Sequence, residues 1–410
     1  MTTSISRPSR GRAAGVATLG LLLLGVATTP AHAESVRSQQ WHLDAMGAEE
    51  IWQISTGKGV KVAVIDSGVD ATNGDLRGQV LKGKNLASGE RGDERTDPDG
   101  HGTGMAGIIA GTGESGGGDG AFGLAPDVKI VPIRLPDVEW ENNRPEVIAR
   151  SNKVTAEAIR YAADQGIPVI NLSIGWNSGS AELADSVRYA LERGSLLFAS
   201  VGNSGDVDNK PEYPGATPGV VGVGAIGEDL QKTEESQYGP QVDLAAPGDD
   251  IVHACGGKTG LCTGHGTSAA SALASATAAL IWSKHPEWTN NQVLRVMLNT
   301  VSGPTSGNKR NDYIGYGALR PLRALKTPGE PGPADEYPLP DLAAAAPESP
   351  SAKPGPAAGK DAEKNEPAEA APGAEDGGNA ALWISVGVGA AVIMGGAVAL
   401  SVVRSRRSYS

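Results

Sequence analysis

The chain has 410 residues and a formal net charge of −12 at pH 7. This excess of acid argues against nucleic acid as a partner, because nucleic-acid binding needs a basic face. The length allows one large folded domain besides the terminal segments, and 57 glycines indicate many tight turns and close backbone approaches.

The N-terminal residues follow the three-part pattern of a secretory signal peptide. Three arginines precede an apolar run over residues 13–27, and an Ala-x-Ala ending closes at Ala33. We predict that residues 1–33 are a signal peptide cleaved after Ala33; an uncleaved anchor is the alternative interpretation.

The C-terminal residues contain a second apolar segment, at 382–403, with no charged side chain. As a helix it would be roughly 33 Å long, enough to cross a bilayer core. Arginines follow at once, which places residues 404–410 in the cytoplasm. Residues 327–378 are rich in Pro, Ala, Glu and Gly, and we predict a disordered tether there. The folded domain is then predicted at residues 34–326.

Short apolar runs alternate with helical patterns inside this domain. Strands are predicted at residues 60–65, 129–134, 168–174, 196–201, 220–226 and 242–245. Helices are predicted at residues 101–110, 154–165, 181–193, 268–283 and 291–301. The alternation predicts an α/β fold whose mostly parallel central sheet is covered by helices on both faces. Active sites of such sheets lie at the carboxyl ends of the strands.

The chain has only two cysteines, Cys255 and Cys262. In an exported protein, two nearby cysteines most simply form a disulfide. A zinc site is the alternative, but two thiols with one neighbouring histidine are too few ligands. We expect no metal and no cofactor.

Two residues in Gly-rich settings point to acid–base chemistry. Asp66 ends an apolar strand, where a carboxylate needs hydrogen bonds and can orient a histidine; a turn-forming or capping Asp is the alternative. His101 lies between glycines at a predicted helix start and has the best context of the six histidines for a general base. A helix-terminal histidine without function is the alternative.

Two further residues point to acyl transfer. Ser268 follows Gly-Thr at the start of a long helix, whose positive end favours a developing negative charge; a simple N-cap serine is the alternative. A rival interpretation pairs Ser268 with His265, although residues so close in a tight turn would meet with poor geometry. Asn203 follows a strand and could donate to an oxyanion, or could be a turn asparagine.

The combination is more specific than its parts. Asp66, His101, Asn203 and Ser268, in this order and each in a Gly-rich setting, resemble the subtilase family over about residues 40 to 325. The resemblance implies a subtilisin-like fold and a serine endopeptidase acting on a protein or peptide substrate. It implies that Asp66 is the orienting acid, His101 the general base, Ser268 the nucleophile and Asn203 the oxyanion donor. It also implies a substrate-lining segment at Ser173, Ile174 and Gly175.

The predicted signal peptide, tether, membrane helix and cysteine pair are together similar to the mycosins, membrane-anchored subtilases associated with type VII secretion. This resemblance implies a single-pass protein of the cell membrane with an extracellular catalytic domain, processing exported proteins beside type VII secretion components. A largely non-catalytic structural subunit that stabilises a secretion complex is the alternative.

Three positions depart from the family pattern. Ala272 and Ala276 stand where Pro and Gly are common after the nucleophile. Trp176 follows Gly175 where a small residue is usual, which leads to the hypothesis that its ring narrows the primary specificity pocket.

Overall fold

The computed structural model describes residues 35–137, 144–257 and 259–345. The predicted signal peptide, membrane helix and tail lie outside these residues. Within the described ranges, no helix combines the length and the apolar character needed to cross a membrane.

Nine strands and nine α-helices are formed by the described residues. The strands are β1 Lys61–Asp66, β2 Lys84–Asn85, β3 Lys129–Arg134, β4 Val169–Leu172, β5 Leu196–Ser200, β6 Val221–Ile226, β7 Leu244–Pro247, β8 Ile251–Ala254 and β9 Leu261–Gly264. The helices are α1 Trp41–Met46, α2 Ala48–Trp52, α3 His101–Ala110, α4 Pro145–Asp164, α5 Ala181–Glu192, α6 Thr267–Lys284, α7 Asn290–Thr300, α8 Pro321–Lys326 and α9 Asp341–Ala344.

Seven strands form one parallel sheet in the order β2-β3-β1-β4-β5-β6-β7. The remaining pair, β8 and β9, forms a small antiparallel hairpin. Because β1 lies inside the sheet, between β3 and β4, its carboxyl end has the ends of both neighbours beside it. The predicted α/β fold with a mostly parallel sheet is confirmed.

Both faces of the sheet are buried, as a parallel sheet requires. Successive side chains of β1 point to opposite faces: Val62 and Val64 belong to one hydrophobic core, Ala63 and Ile65 to the other. The first core also includes apolar side chains of α3, α6 and α7, and the second those of α4 and α5. Helices therefore cover the sheet on both sides.

Helix α6 is buried along almost its whole length, from Thr267 to Trp282. Its many alanines let it pack closely against the sheet while keeping high helix propensity. Ala272 and Ala276, the two departures from the family pattern, are fully buried inside an uninterrupted helix. Alanine therefore replaces Pro and Gly here without breaking the element.

The folded domain extends past residue 326, where the sequence predicted its end. Residues 327–345 pack on the domain, with Leu339 buried and the Tyr337 hydroxyl donating to the Gly219 carbonyl at 2.9 Å. The Arg295 guanidinium donates to the carbonyls of Pro331, Pro333 and Glu336. The low apolar content of this segment predicted that it would be disordered. It is ordered because its backbone carbonyls accept hydrogen bonds from a side chain of the neighbouring helix α7. The rest of the predicted tether, from residue 346, lies outside the described residues.

Candidate active site

Asp66 and His101 form an ion pair at the carboxyl end of β1. Asp66 is fully buried, and His101 Nδ1 lies 2.8 Å from Oδ1 and 3.0 Å from Oδ2 of its carboxylate. The Ser67 N–H also donates to Asp66 Oδ1 at 2.8 Å, and the Ser67 hydroxyl oxygen lies 3.1 Å from the same atom. A carboxylate only accepts, so Nδ1 must carry the proton and Nε2 of a neutral ring is left free to accept one.

Asp97 fixes the start of helix α3, on which His101 is the first residue. One oxygen of its carboxylate accepts from the Ser67 hydroxyl and the Gly100 N–H, both at 2.8 Å. The other accepts from the N–H and the hydroxyl of Thr103. These bonds satisfy N–H groups that a helix terminus leaves unpaired, and they link the helix to Asp66 through Ser67. The sequence analysis did not identify Asp97.

Ser268 lies at the start of α6, partly exposed, beside the segment that follows β4. Its hydroxyl is 3.4 Å from the Ser173 carbonyl, and the Ser173 hydroxyl donates to the Ser268 carbonyl at 3.0 Å. Because β4 pairs with β1, these contacts bring Ser268 to the same edge of the sheet as Asp66. Among the described contacts, the Ser268 hydroxyl bonds to Ser173 and not to His101; such bonds are often long in an unliganded enzyme.

A buried polar network sets the position of α6. Asn171, fully buried in β4, accepts from the hydroxyls of Ser271 and Ser275, each at 3.1 Å. Its amide donates to the Ser173 hydroxyl at 3.0 Å. Two successive turns of α6 are therefore bonded to β4 directly behind Ser268, which makes the serine's placement rigid.

Asn203 faces the start of α6 from the loop after β5. Its Oδ1 accepts from the N–H and the hydroxyl of Thr267, at 2.9 and 3.0 Å. Because the backbone N–H can only donate, the oxygen must face Thr267, and the amide nitrogen is left as a donor next to Ser268. Gly266 has φ 110°, and a side chain there would meet this amide at 2.9 Å.

The carboxylates around His101 decide its charge. Burial alone would lower its pKa, but the charge and hydrogen bond of Asp66, with smaller contributions from Asp99 and Asp97, outweigh burial and raise the pKa to about 9. Its side chain remains 35% exposed, so the ring is reachable from the cleft. The site thus holds an imidazolium readily, which is the state that a general base reaches after taking a proton.

Two other histidines near the site have separate partners. His265 is 70% exposed and bonds through Nδ1 to both carboxylate oxygens of Glu235, at 2.9 Å, which raises its pKa. His253 is buried and bonds to the Ile251 carbonyl. The geometry therefore gives no support to the rival interpretation that pairs His265 with Ser268.

The two cysteines form a disulfide between β8 and β9, with their Cα atoms 5.8 Å apart. The sequence predicted this bond but not the hairpin that it joins. In the described part of the chain, no group of three or more His, Cys, Asp or Glu side chains could hold a metal ion.

The predicted substrate-lining segment lies beside Ser268, but its side chains point in different directions. Ile174 is buried in the core shared with α4 and α5, so only its backbone can face a substrate. Trp176 is also buried in that core, beside Leu135 and Val154. The side chain that lies against Gly175 is instead that of Glu212, which the sequence analysis did not identify.

Comparisons with known proteins show the family of this chain. Residues 57–317 match the Subtilase family. An intracellular serine protease of Paenibacillus polymyxa is 34% identical over 245 residues, which are 58% of this chain and 71% of that protein.

Two solved structures are similar in fold as well as sequence. MycP1 from Mycobacterium smegmatis is 28% identical with a TM-score of 0.61, over 72% of this chain and 86% of that one. MycP3 protease from the type VII (ESX-3) secretion system is 30% identical with a TM-score of 0.60, over 70% of this chain and 88% of that one. The chain therefore belongs to the subtilase family, is a serine endopeptidase by that membership, and has mycosins among its structural neighbours.

Proposed function

We propose that Asp66, His101 and Ser268 are the catalytic triad of this endopeptidase and that Asn203 is a donor to its oxyanion. The observation that carries the proposal is the buried Asp66 carboxylate bound to His101 Nδ1 at the sheet edge that also holds Ser268. This arrangement leaves one ring nitrogen to act as a base and one hydroxyl, at a helix start, to act as a nucleophile.

The first half of the reaction forms an acyl-enzyme. Ser268 Oγ attacks the peptide carbonyl, and its proton passes to His101 Nε2. Asp66 stabilises the imidazolium that results. His101 then gives the proton to the leaving amine, and the peptide bond breaks.

The tetrahedral intermediate carries a negative charge on the former carbonyl oxygen. The Asn203 amide, held by Thr267, and the Ser268 N–H at the start of α6 would donate to it. In the second half, water attacks the acyl carbonyl as His101 Nε2 takes its proton. The ester bond to Ser268 then breaks, His101 returns the proton to Ser268 Oγ, and the new carboxylate leaves.

The proposed setting is the outer face of a cell membrane. The apolar segment at 382–403 and the basic tail would anchor the protein, with the peptidase domain outside. The similarity to MycP3, described as a protease from a type VII secretion system, supports exported proteins of such a system as substrates.

A fluorophosphonate probe on the full-length protein tests the triad. We expect labelling of the parent and of His265→Ala, and none of Ser268→Ala, because the probe reacts only with an activated serine. Failure of the folded parent to label would contradict the triad and favour the structural subunit.

A separate experiment tests the cellular role. Cells carrying Ser268→Ala in place of the parent should accumulate an uncut exported protein that the parent processes. Unchanged exported proteins in that strain would contradict the processing role while leaving the triad intact.

A further inference from the structure

The Glu212 carboxylate lies against the main chain of two glycines. A β-carbon added to Gly175 would stand 2.3 Å from Glu212 Oε2, and one added to Gly202 would stand 2.7 Å from Glu212 Cδ. A side chain at Gly175 would displace the carboxylate, and one at Gly202 would meet the Gln237 amide at 2.4 Å as well as Glu212. Glycine at each position therefore has a steric reason that involves the same side chain.

A backbone bridge holds Glu212 in this place. Trp176 follows Gly175 and Tyr213 follows Glu212, and the backbones of these two residues bond to each other twice. The Trp176 N–H donates to the Tyr213 carbonyl at 2.8 Å, and the Tyr213 N–H donates to the Trp176 carbonyl at 2.7 Å. Glu212 is thus fixed next to Gly175 by rigid main-chain contacts, although the two are far apart in sequence.

The two glycines flank the proposed nucleophile. Gly175 is two residues after Ser173, and the Ser173 carbonyl lies 3.4 Å from Ser268 Oγ. Gly202 precedes Asn203, and its N–H donates to the Thr267 hydroxyl at 3.2 Å. A peptide carbonyl that reaches both Ser268 and the Asn203 amide would therefore lie beside these two segments, next to the Glu212 carboxylate.

Among the described residues, the Glu212 carboxylate has one hydrogen bond and no cationic partner. The Gln237 amide donates to Oε1 at 2.8 Å, while Oε2 has no donor among the described residues. No lysine, arginine or histidine of the described residues forms an ion pair with Glu212, and the nearby Lys210 pairs with Asp208. Burial raises the pKa of Glu212, against the lowering effect of the Gln237 bond, and the Asp208 charge raises it further. A half-buried carboxylate of this kind is stabilised by a bound cation that donates hydrogen bonds to it.

We propose that Glu212 is a specificity-determining residue that selects lysine or arginine immediately before the scissile bond. The inference rests on the proposed function, since it assumes that Ser268 is the nucleophile. A long cationic side chain would enter between Gly175 and Gly202 and bind the free oxygen of Glu212, while an acidic side chain would be repelled.

The test is kcat/KM of the full-length protein on a peptide set that differs only in the residue before the cleaved bond: Lys, Arg, Ala, Leu and Glu. Glu212→Gln keeps the size of the side chain and removes its charge. We expect the parent to prefer Lys and Arg, and Glu212→Gln to lose about 10- to 100-fold on those two peptides, the range for a hydrogen bond to a charged group. The Ala and Leu peptides should change little. Glu182→Gln, an exposed change on α5, is the matched control and should keep the parent's preference.

Fluorophosphonate labelling of each variant tests whether Ser268 is reactive, separately from the effect of Glu212 on specificity. Labelling with a preference for Ala, and no effect of Glu212→Gln on the Lys and Arg peptides, would overturn the specificity role alone; Glu212 would then only fill the pocket. A folded parent that neither labels nor cuts any peptide would overturn the proposed function and this inference together.

Discussion

The His101 pKa shows how the side chains of the site act on one another. Burial lowers this pKa and the Asp66 carboxylate raises it, and the effect of the carboxylate is larger. A general base must be neutral to accept a proton, so activity should rise with pH as His101 deprotonates.

Removal of the Asp66 charge should therefore lower the pKa of His101. In Asp66→Asn, burial is left as the largest influence, and we expect the pKa to fall from about 9 to below its ordinary value of 6.5. The measurement is an NMR pH titration of the imidazole carbons. His265, whose pKa depends on Glu235, is the internal control and should not move. An unchanged His101 titration would contradict the ion pair.

The Asn203 amide should contribute to turnover and not to substrate binding. Asn203→Ala should lower kcat by about 10²- to 10³-fold with little change in KM, as expected for loss of one oxyanion donor. Steady-state kinetics on one peptide measures this. Because Asn203 also accepts from Thr267, the unfolding temperature of the variant must be shown to match the parent. A fall in kcat/KM that comes from KM alone would rule out the oxyanion role.

The sequence was most informative for residues whose local pattern is distinctive. Asp66, His101, Asn203 and Ser268 each lie within two residues of a glycine at the end of an element, and the structure brings them to one sheet edge. Asp97 and Glu212 could not be predicted, because their roles depend on tertiary contacts. Nothing in the Pro-Glu-Tyr-Pro context of Glu212 indicates that it lies against Gly175.

The elements of the parallel sheet depend on helix α6, which carries Ser268 at its start and packs through the centre of one core. The side chains of α6 must be small because the helix packs closely against the sheet. Ala276 is fully buried, so a larger side chain there would displace the sheet or the helix.

Ala276→Leu should destabilise the fold by about 1–3 kcal/mol, the usual cost of overpacking a core. Ala181→Leu, the same change at an exposed position of α5, should have little effect. Chemical denaturation of both variants measures the difference. Equal stability of the two would show that space is available beside α6.

Periodicity predicted six strands of the parallel sheet to within a few residues, since buried strands form continuous apolar runs. It placed the start of α4 at residue 154, whereas the helix begins at Pro145, because polar Ser151 and Asn152 occupy buried positions and interrupt the apolar spacing. The β8–β9 hairpin was not predicted, since the partly exposed residues of β9 lack an apolar pattern.

At the scale of the whole molecule, the folded unit includes residues 327–345. Arg295 on α7 holds the extended, proline-rich part of this segment through three carbonyls, and Leu339 packs in the core. Composition could not predict this, because the bonds go to backbone groups that every sequence has.

Arg295→Ala should therefore weaken the fold. We expect a loss of about 1–3 kcal/mol, since several charge-assisted bonds disappear together. Faster proteolysis within residues 327–345 should accompany the loss. Arg188→Ala, which removes only an exposed pair with Asp185, is the control. Equal protease resistance of the two variants would contradict the described packing.

The central claim is that Asp66, His101 and Ser268 act as one unit, and peptide hydrolysis by combined variants tests it most directly. We expect Ser268→Ala to lower kcat by at least about 10⁴-fold, and the triple alanine variant to be no worse, because residues of one catalytic unit are strongly non-additive. A triple variant that loses the product of the three single effects, or a Ser268→Ala protein that keeps most of its activity, would contradict the triad.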